Sequence, residues 1–284
     1  MTEKIHVLLP VHNRRETTRR FIECLRAQTY ANYHLILIDD GSTDGTAEMV
    51  LESLPGTAVI RGTGDWWWAG SLQQGLNWLK SAQPADVDVV LFINDDVLFD
   101  ADYLGNGLNA LRYHPQSMVL SQMRDPRSGE VRESGVHADL RRMNFTIASP
   151  AAEVNCLSTR GLFIRWGDVT KIGAFHPILL PHYWSDYEYT IRAARRGLAC
   201  YTTNLVWLEA DFGSTGDRDL GAEIGWEYVR RLFSINCIHN PIFMSAFVVC
   251  AVPARWVIPN LLRIWWRAIR QLFRQGVLQR SVGN

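Results

Sequence analysis

Four short polar stretches in this chain carry residue types that bind phosphate, hold cations or move protons. The first is Pro10-Val11-His12-Asn13-Arg14, after a β-branched apolar run, and the second is Asp39-Asp40-Gly41-Ser42, after another. A carboxylate at such a place can accept from a nucleobase N–H, and the neighbouring backbone amides can meet phosphate. Taken singly, an Asp-Gly turn after a strand is commonplace. The third stretch is Asn94-Asp95-Asp96, again after an apolar run, with no cationic side chain nearby in the sequence. Adjacent acids there are costly unless a cation or solvent receives them. Hard oxygen ligands of this kind suit Mg²⁺ or Mn²⁺, with substrate phosphates completing the shell; a solvated turn with an Asp cap is the alternative. The fourth is Trp184-Ser185-Asp186-Tyr187-Glu188, running on to Arg192 and Gly197. Its acids at i and i+2 fall in a first helical turn, where the macrodipole favours negative charge. Helix capping alone would also account for them.

The elements that must position these residues follow from hydrophobic periodicity. Strands are expected at 5–10, 35–38, 57–60 and 87–93, and helices from 14 to about 28, over 45–54 with Thr43 and Asp44 as caps, and over 70–82. Such alternation implies a mostly parallel sheet covered on both faces, with ligands at the strand C-termini. Beyond Asp96 the pattern loosens: a helix over 103–113, a turn-rich stretch at 124–135, short apolar runs over 160–173, and a helix over 186–196 stopped by Gly197. From Gly225 onward the character is helical.

Of the 284 residues, 47% are hydrophobic, 20% charged and 11% aromatic, which excludes disorder, collagen and coiled coil. The 29 basic and 29 acidic residues cancel, leaving no global electrostatic argument for nucleic acid. Five scattered cysteines without a CxxC pair argue against a disulfide framework or zinc site. The start MTEKIHVLLP lacks the features of a signal peptide, so a cytoplasmic location is expected.

The order PxxNR, IDDGSTD, NDD, G-x-F and then S-D-x-E-x-x-x-R-x-x-x-x-G closely resembles the family 2 glycosyltransferases over residues 5–216. The resemblance implies an inverting enzyme of the GT-A fold that uses nucleotide sugars. It implies a mostly parallel central sheet with helices on both faces as a transferase domain over 1–220, followed by a helical C-terminal extension over 221–284. The segment Lys171-Ile172-Gly173-Ala174-Phe175 looks like the family's stretch upstream of the catalytic acid, and 62–75 resembles its further donor-contacting loop and helix, including Gly70. Within the family the chain looks most like bacterial rhamnosyltransferase-type enzymes of surface polysaccharide assembly. Carried over by position, Pro10, His12, Asn13 and Arg14 line the nucleotide pocket, and Asp40 reads the pyrimidine N3–H of a UDP- or dTDP-sugar. Asn94 and Asp95 lie near the donor, Asp96 is the direct ligand of a divalent metal, and Asp186 is the general base. Glu188, Trp184 and His182 face the acceptor, a glycan or lipid-linked saccharide, or support the site.

One departure stands out: the loop Trp207-Leu208-Glu209-Ala210-Asp211-Phe212-Gly213 holds no histidine where many relatives place a metal ligand, so Glu209 or Asp211 is expected to substitute, or Asp96 and diphosphate to suffice. The triple Trp66-Trp67-Trp68 suits either sugar stacking or packing. A nucleotidyltransferase would carry a basic Gly-rich loop after the first strand, absent here, and a dinucleotide-binding oxidoreductase would need GxGxxG. A degenerate binding or scaffold protein on the same fold would be expected to lose Asp96 or Asp186, and both are present.

The C-terminal stretch is apolar over 242–254, interrupted at Pro253, Arg255 and Pro259, and resumes over 261–273 with Trp265 and Trp266 among arginines. Residues 255–284 contain six arginines and no carboxylate. The 13-residue run is too short to span a bilayer. Tryptophan beside arginine suits a peripheral position on an anionic membrane surface; a helix packed on the domain or a homo-oligomer contact is the alternative.

Overall fold

The computed structural model describes residues 2–148, 153–210 and 225–282, with side chains described to Arg274. The chain opens with β1 (Ile5–Val11), α1 (Arg15–Arg26), β2 (Tyr33–Asp39), α2 (Thr46–Ser53), β3 (Ala58–Arg61), α3 (Trp67–Ala82) and β4 (Val89–Phe92). There follow α4 (Tyr103–Tyr113), β5 (Ser117–Arg124), β6 (Val131–Glu133), β7 (Val136–Asp139) and β8 (Asn144–Ile147). The rest is β9 (Leu162–Arg165), α5 (Trp166–Ile172), α6 (Ser185–Arg195), β10 (Ala199–Glu209), α7 (Trp226–Leu232), α8 (Pro241–Ala251) and α9 (Ala254–Val282).

The main sheet runs β10-β5-β9-β4-β1-β2-β3, with β6 pairing on β5. The strands β4, β1, β2 and β3 are parallel; β4, β1 and most of β2 are buried on both faces, as continuous apolar runs predict, and β3 is the partly exposed edge. One face packs on α1, α2 and α4 through Phe21, Leu25, Val50 and Leu108; the other packs on α3, α5 and α6 through Leu72, Leu79, Ile172 and Tyr189. The strand β9 is antiparallel to both β4 and β5. It therefore enters the sheet at the edge where β4 ends, and Gly161 donates its N–H to Phe92 O at 2.9 Å. That reversal brings residues 159–161 to the same rim as the carboxyl ends of β1, β2 and β4.

The short hairpin β7–β8 stands apart from the main sheet. With α6 and α8 it encloses a separate core of Val136, Ala138, Phe247 and Ala251, against which Phe145 and Trp184 pack. The expected break at Pro259 does not occur, since α9 runs through it. A helix-interior proline costs about 3 kcal/mol; burial of Ile264 against Val248 of α8 and Val252 just after it holds the helix together across it.

Candidate active site

Three strand ends meet in hydrogen bonds at one rim. Asp40 donates its N–H to Val11 O (2.9 Å), and Gly62 donates to Asp39 O (2.8 Å). Asn13, in the left-handed region at φ 51°, receives at Oδ1 the N–H of Thr43 (2.8 Å) and gives its own N–H to Ser42 Oγ (2.9 Å). The two expected polar turns are therefore laced together. His12 Nδ1 lies 2.5 Å from Asp40 O and Asn13 Nδ2 lies 3.1 Å from Nε2, a pairing satisfied by the neutral imidazole with its proton on Nδ1.

Asp40 is buried, and its carboxylate spans a gap in the chain. Oδ1 accepts from Gly64 N (2.8 Å), while Oδ2 accepts from Trp66 N (2.8 Å) and Trp67 N (3.3 Å). It thus caps the start of α3 from a distant strand end, and Trp67 at φ 55° opens that helix. A carboxylate offers about four acceptor positions, so three amides leave room for one more donor. Gly62 makes the clasp possible: a Cβ there would lie 2.5 Å from Asp40 Oδ1. Gly70, one turn into α3, would bring a Cβ to 3.1 Å from Trp66. Trp66 and Trp68 pack on the core, and the Trp67 ring meets His182 edge-on at 5.9 Å.

The third stretch gathers two arginines that sequence distance had hidden. Arg14 Nε lies 2.8 Å from Asp95 Oδ1, and Thr18 donates to Asp95 Oδ2 at 2.8 Å. Burial still holds the Asp95 carboxyl above its ordinary range, against Arg14 and Thr18. Arg160 donates to Asp96 Oδ2 at 3.0 Å, with Arg14 at 3.6 Å from the same atom. Asp96 Oδ1 and Asn94 Oδ1, by contrast, are buried without a hydrogen-bond partner. Unsatisfied buried oxygens beside cationic side chains are what a hard cation and an anionic ligand would complete. Among the described residues no group of three or more His, Cys, Asp or Glu is placed to hold a metal. The donor set therefore fits a divalent ion shared with a ligand's phosphates, not one held by protein alone. Glu209 lines the same cleft of about 770 Å³ as Arg14, Arg15, Asp44, Asp95 and Asp96. Asp211 lies outside the described residues.

Asp186 sits in the first turn of α6, with Oδ1 accepting from Tyr187 N at 2.9 Å. Burial pushes its carboxyl up to about 6, with the charge of Glu133 adding to the rise and the amides of Tyr187 and Thr159 opposing it. The helix is anchored by Thr190, whose hydroxyl accepts from Leu157 N and donates to Leu157 O, and by the Tyr189 ring stacked on Phe175 at 4.2 Å. Thr159 also accepts at Oγ1 from Trp68 Nε1 at 2.9 Å. Adjacent residues thus touch the two acids of interest: Thr159 faces Asp186 and Arg160 binds Asp96. No motif flagged Thr159, Arg160 or Thr18; their signal is polarity beside an apolar strand or on a helix facing the rim.

Glu188 and Trp184, expected to face the acceptor or to support the site, make supporting contacts. Glu188 is buried and takes Arg192 in a fork, with Nε at 2.8 Å and Nη2 at 2.9 Å. Arg192 also donates to Ile172 O and Ala174 O, so the fork ties the 171–175 segment to α6. Trp184 donates its indole N–H to Ile238 O at 2.8 Å and packs on Phe145 and Phe247. The i+2 spacing turns Glu188 well away from Asp186 around the helix. His182 remains near the rim, its imidazole held below its ordinary pKa by burial and its Nδ1 buried without a partner.

Comparison with known proteins accords with this arrangement. Residues 6–159, more than half of the chain, match the family model described as glycosyl transferase family 2. The chain belongs to this family. It has the mixed α/β GT-A architecture. A 52-residue segment is 42% identical to the glycosyltransferase GlyG of Streptococcus pneumoniae serotype 4, covering 17% of this chain and 16% of that protein. Among solved structures, the mannosyltransferase PcManGT of Pyrobaculum calidifontis, in complex with GDP-Man and Mn²⁺, superposes with TM-score 0.56 at 16% identity, over 88% of this chain and 74% of that one. TarS of S. aureus gives TM-score 0.61 at 16% identity over 95% and 54%. GalNAc-T7 with UDP, GalNAc and Mn²⁺ gives 0.60 at 11% over 81% and 50%. The chain thus spans about half the length of these last two, and at such identities the likeness is one of fold.

Proposed function

We propose that this transferase is inverting, and that it moves a sugar from a pyrimidine nucleotide-diphosphate donor, a UDP- or dTDP-sugar, to a hydroxyl of a glycan or lipid-linked acceptor. The observation that carries the reading is Asp186. Its carboxyl, pushed up to about 6, is ionised at neutral pH yet basic enough to take a proton. It lies one residue's reach from the Asp96 cluster through Thr159 and Arg160.

In this reading Asp186 removes the acceptor hydroxyl proton as that oxygen attacks the anomeric carbon. The bond from that carbon to the diphosphate breaks on the opposite face, and its electron pair leaves with the diphosphate. Pro10, His12, Asn13 and Arg14 border the nucleotide, with the spare acceptor position of Asp40 for the pyrimidine N3–H. Asp96 Oδ1 would hold the divalent ion, with Asn94 near the donor; the ion when bound would offset charge on the leaving group. Arg14 and Arg160, which pair with Asp95 and Asp96, would also meet the diphosphate oxygens in this reading. Mn²⁺ and nucleotide ligands in the PcManGT and GalNAc-T7 structures support both elements.

The test is a thermal-shift panel of UDP-, dTDP- and GDP-sugars with Mn²⁺, followed by the anomeric configuration of the product by NMR. Stabilisation by a pyrimidine sugar nucleotide and an inverted product are expected. Stabilisation by GDP-sugars alone would overturn the pyrimidine assignment, and a retained configuration would overturn the role of Asp186.

A further inference from the structure

Helix α9 carries two apolar faces, and only one is used by the fold. Ile264 and Ala268 are buried, Ile264 against Val248 and Val252 and Ala268 with Tyr228 and Leu232. On the same side buried Asn260 donates from Nδ2 to Leu140 O at 3.0 Å. That face accounts for the helix's attachment to the domain. It leaves Ile258, Leu262, Trp265, Trp266, Ile269 and Phe273 exposed, Trp265 the least of them at 40%, its indole donating to Ser245 Oγ of α8 at 3.1 Å. At 3.6 residues per turn these six fall within roughly 100° of one another, with Trp265 at the edge that borders the inner face. Leu262, Trp266 and Phe273 are 69%, 66% and 71% exposed. A helix that only packed on its own domain would put polar residues there.

The charges beside this stripe are all of one sign. Arg267, Arg270 and Arg274 are exposed along its far edge, and residues 255–284 hold six arginines and no carboxylate. A two-fold contact with a second copy would set this arginine row against itself. An anionic lipid surface matches both the charge and the tryptophan-arginine composition. No described helix is long and apolar enough to cross a membrane, so the helix would lie in the interface plane.

We propose that the outer stripe of α9 docks the protein on the surface of an anionic bilayer, with the apolar side chains at the headgroup boundary and Arg267, Arg270 and Arg274 among the phosphates. The docking fixes the orientation of the site. Arg263 donates to Arg141 O, Arg141 stacks over Trp256 at 4.8 Å, and the hairpin carrying Arg141 places Phe145 on Tyr187, next to Asp186. The base is thereby held at a set attitude to the lipid, as a lipid-linked acceptor requires. This last consequence rests on the proposed transfer reaction; the docking does not.

The experiment is co-sedimentation of the full chain with phosphatidylcholine vesicles and with vesicles containing phosphatidylglycerol, at low and high salt. Binding to the anionic vesicles is expected, at least about tenfold weaker on neutral ones and weakened by salt. The triple variant Leu262→Ser/Trp266→Ser/Phe273→Ser should lose it with an unchanged circular dichroism spectrum and melting temperature. Arg267→Gln/Arg270→Gln/Arg274→Gln, which leaves the inner face untouched, should lose the anionic preference. Absence of vesicle binding by the intact chain, or equal binding by a folded triple variant, overturns the proposal. So does self-association that the triple variant abolishes while vesicles remain unbound. Failure to detect sugar transfer leaves the vesicle result standing, which separates this proposal from the catalytic one.

Discussion

Replacing Asp186 by Asn should do two opposite things at once, and both follow from the same burial. A rise of its carboxyl from the ordinary 3.8 to about 6 means that burial disfavours the charged form by at most about 3 kcal/mol. Because the folded state holds this proton more tightly than the unfolded chain, the cost is absent below about pH 3.8, grows as pH rises, and is complete above about 6. The neutral amide keeps the shape and can still accept from Tyr187 N, so at pH 7.5 the variant should be more stable than the parent by up to that amount, or several degrees in melting temperature. At pH 4 the gain should vanish. Turnover should move the other way. General-base catalysis contributes on the order of 10²–10⁴-fold, and an amide takes no proton. In the parent, kcat should fall with unit slope below pH 6, since about nine-tenths of the base is ionised at pH 7 and about one-tenth at pH 5.

Glu133 provides the control, because its charge contributes to the rise at Asp186. Glu133→Gln should shift the acid limb of the rate profile to lower pH while leaving the plateau within a few fold. The assays are pH-dependent initial rates and paired thermal melts at pH 4 and 7.5. An Asp186→Asn variant that melts no higher at pH 7.5 would refute the desolvation argument, and one that transfers sugar at the parent rate would refute the base assignment.

Asp96→Ala, or excess EDTA on the parent, should reduce turnover by orders of magnitude with the fold intact by circular dichroism; full activity in EDTA would exclude a required ion. Glu188→Gln should destabilise the protein by about 3–5 kcal/mol in denaturant titration, because it leaves Arg192 with half of a buried fork. Its acceptor KM should remain near the parent value. Gly62→Ala should force Asp40 off its amides and raise donor KM at least tenfold, read by nucleotide-sugar titration.

The parallel half of the sheet was legible because strands buried on both faces read as unbroken apolar runs, and the helix over 103–113 appears with those same bounds. What the sequence hid was set by long-range contacts. The antiparallel strand β9 has four residues, too few to show a period, and nothing local encodes its direction. Helix α3 begins at Trp67, three residues before the expected start, because its cap is supplied by Asp40, just after β2, rather than by a neighbouring Ser or Asp. The continuation of α9 through Pro259 likewise comes from contact with α8.

The reversal of β9 matters most for function. A parallel strand in that place would begin at the opposite rim and carry its preceding residues away from the site. Running antiparallel, it starts where β4 ends, so the turn into it, Thr159-Arg160-Gly161, lies between Asp96 and α6. Trp68 fixes Thr159 from the other side, and Trp68 lies on the helix that Asp40 caps. Asp40, Asp96 and the Thr159 that faces Asp186 are thus joined through three short links: an amide to Asp40, an indole to Thr159, and a guanidinium to Asp96. Each link is a hydrogen bond of 2.8–3.0 Å between elements far apart in sequence. Loosening any one of them should therefore misalign donor and base together, and appear in kcat before it appears in fold.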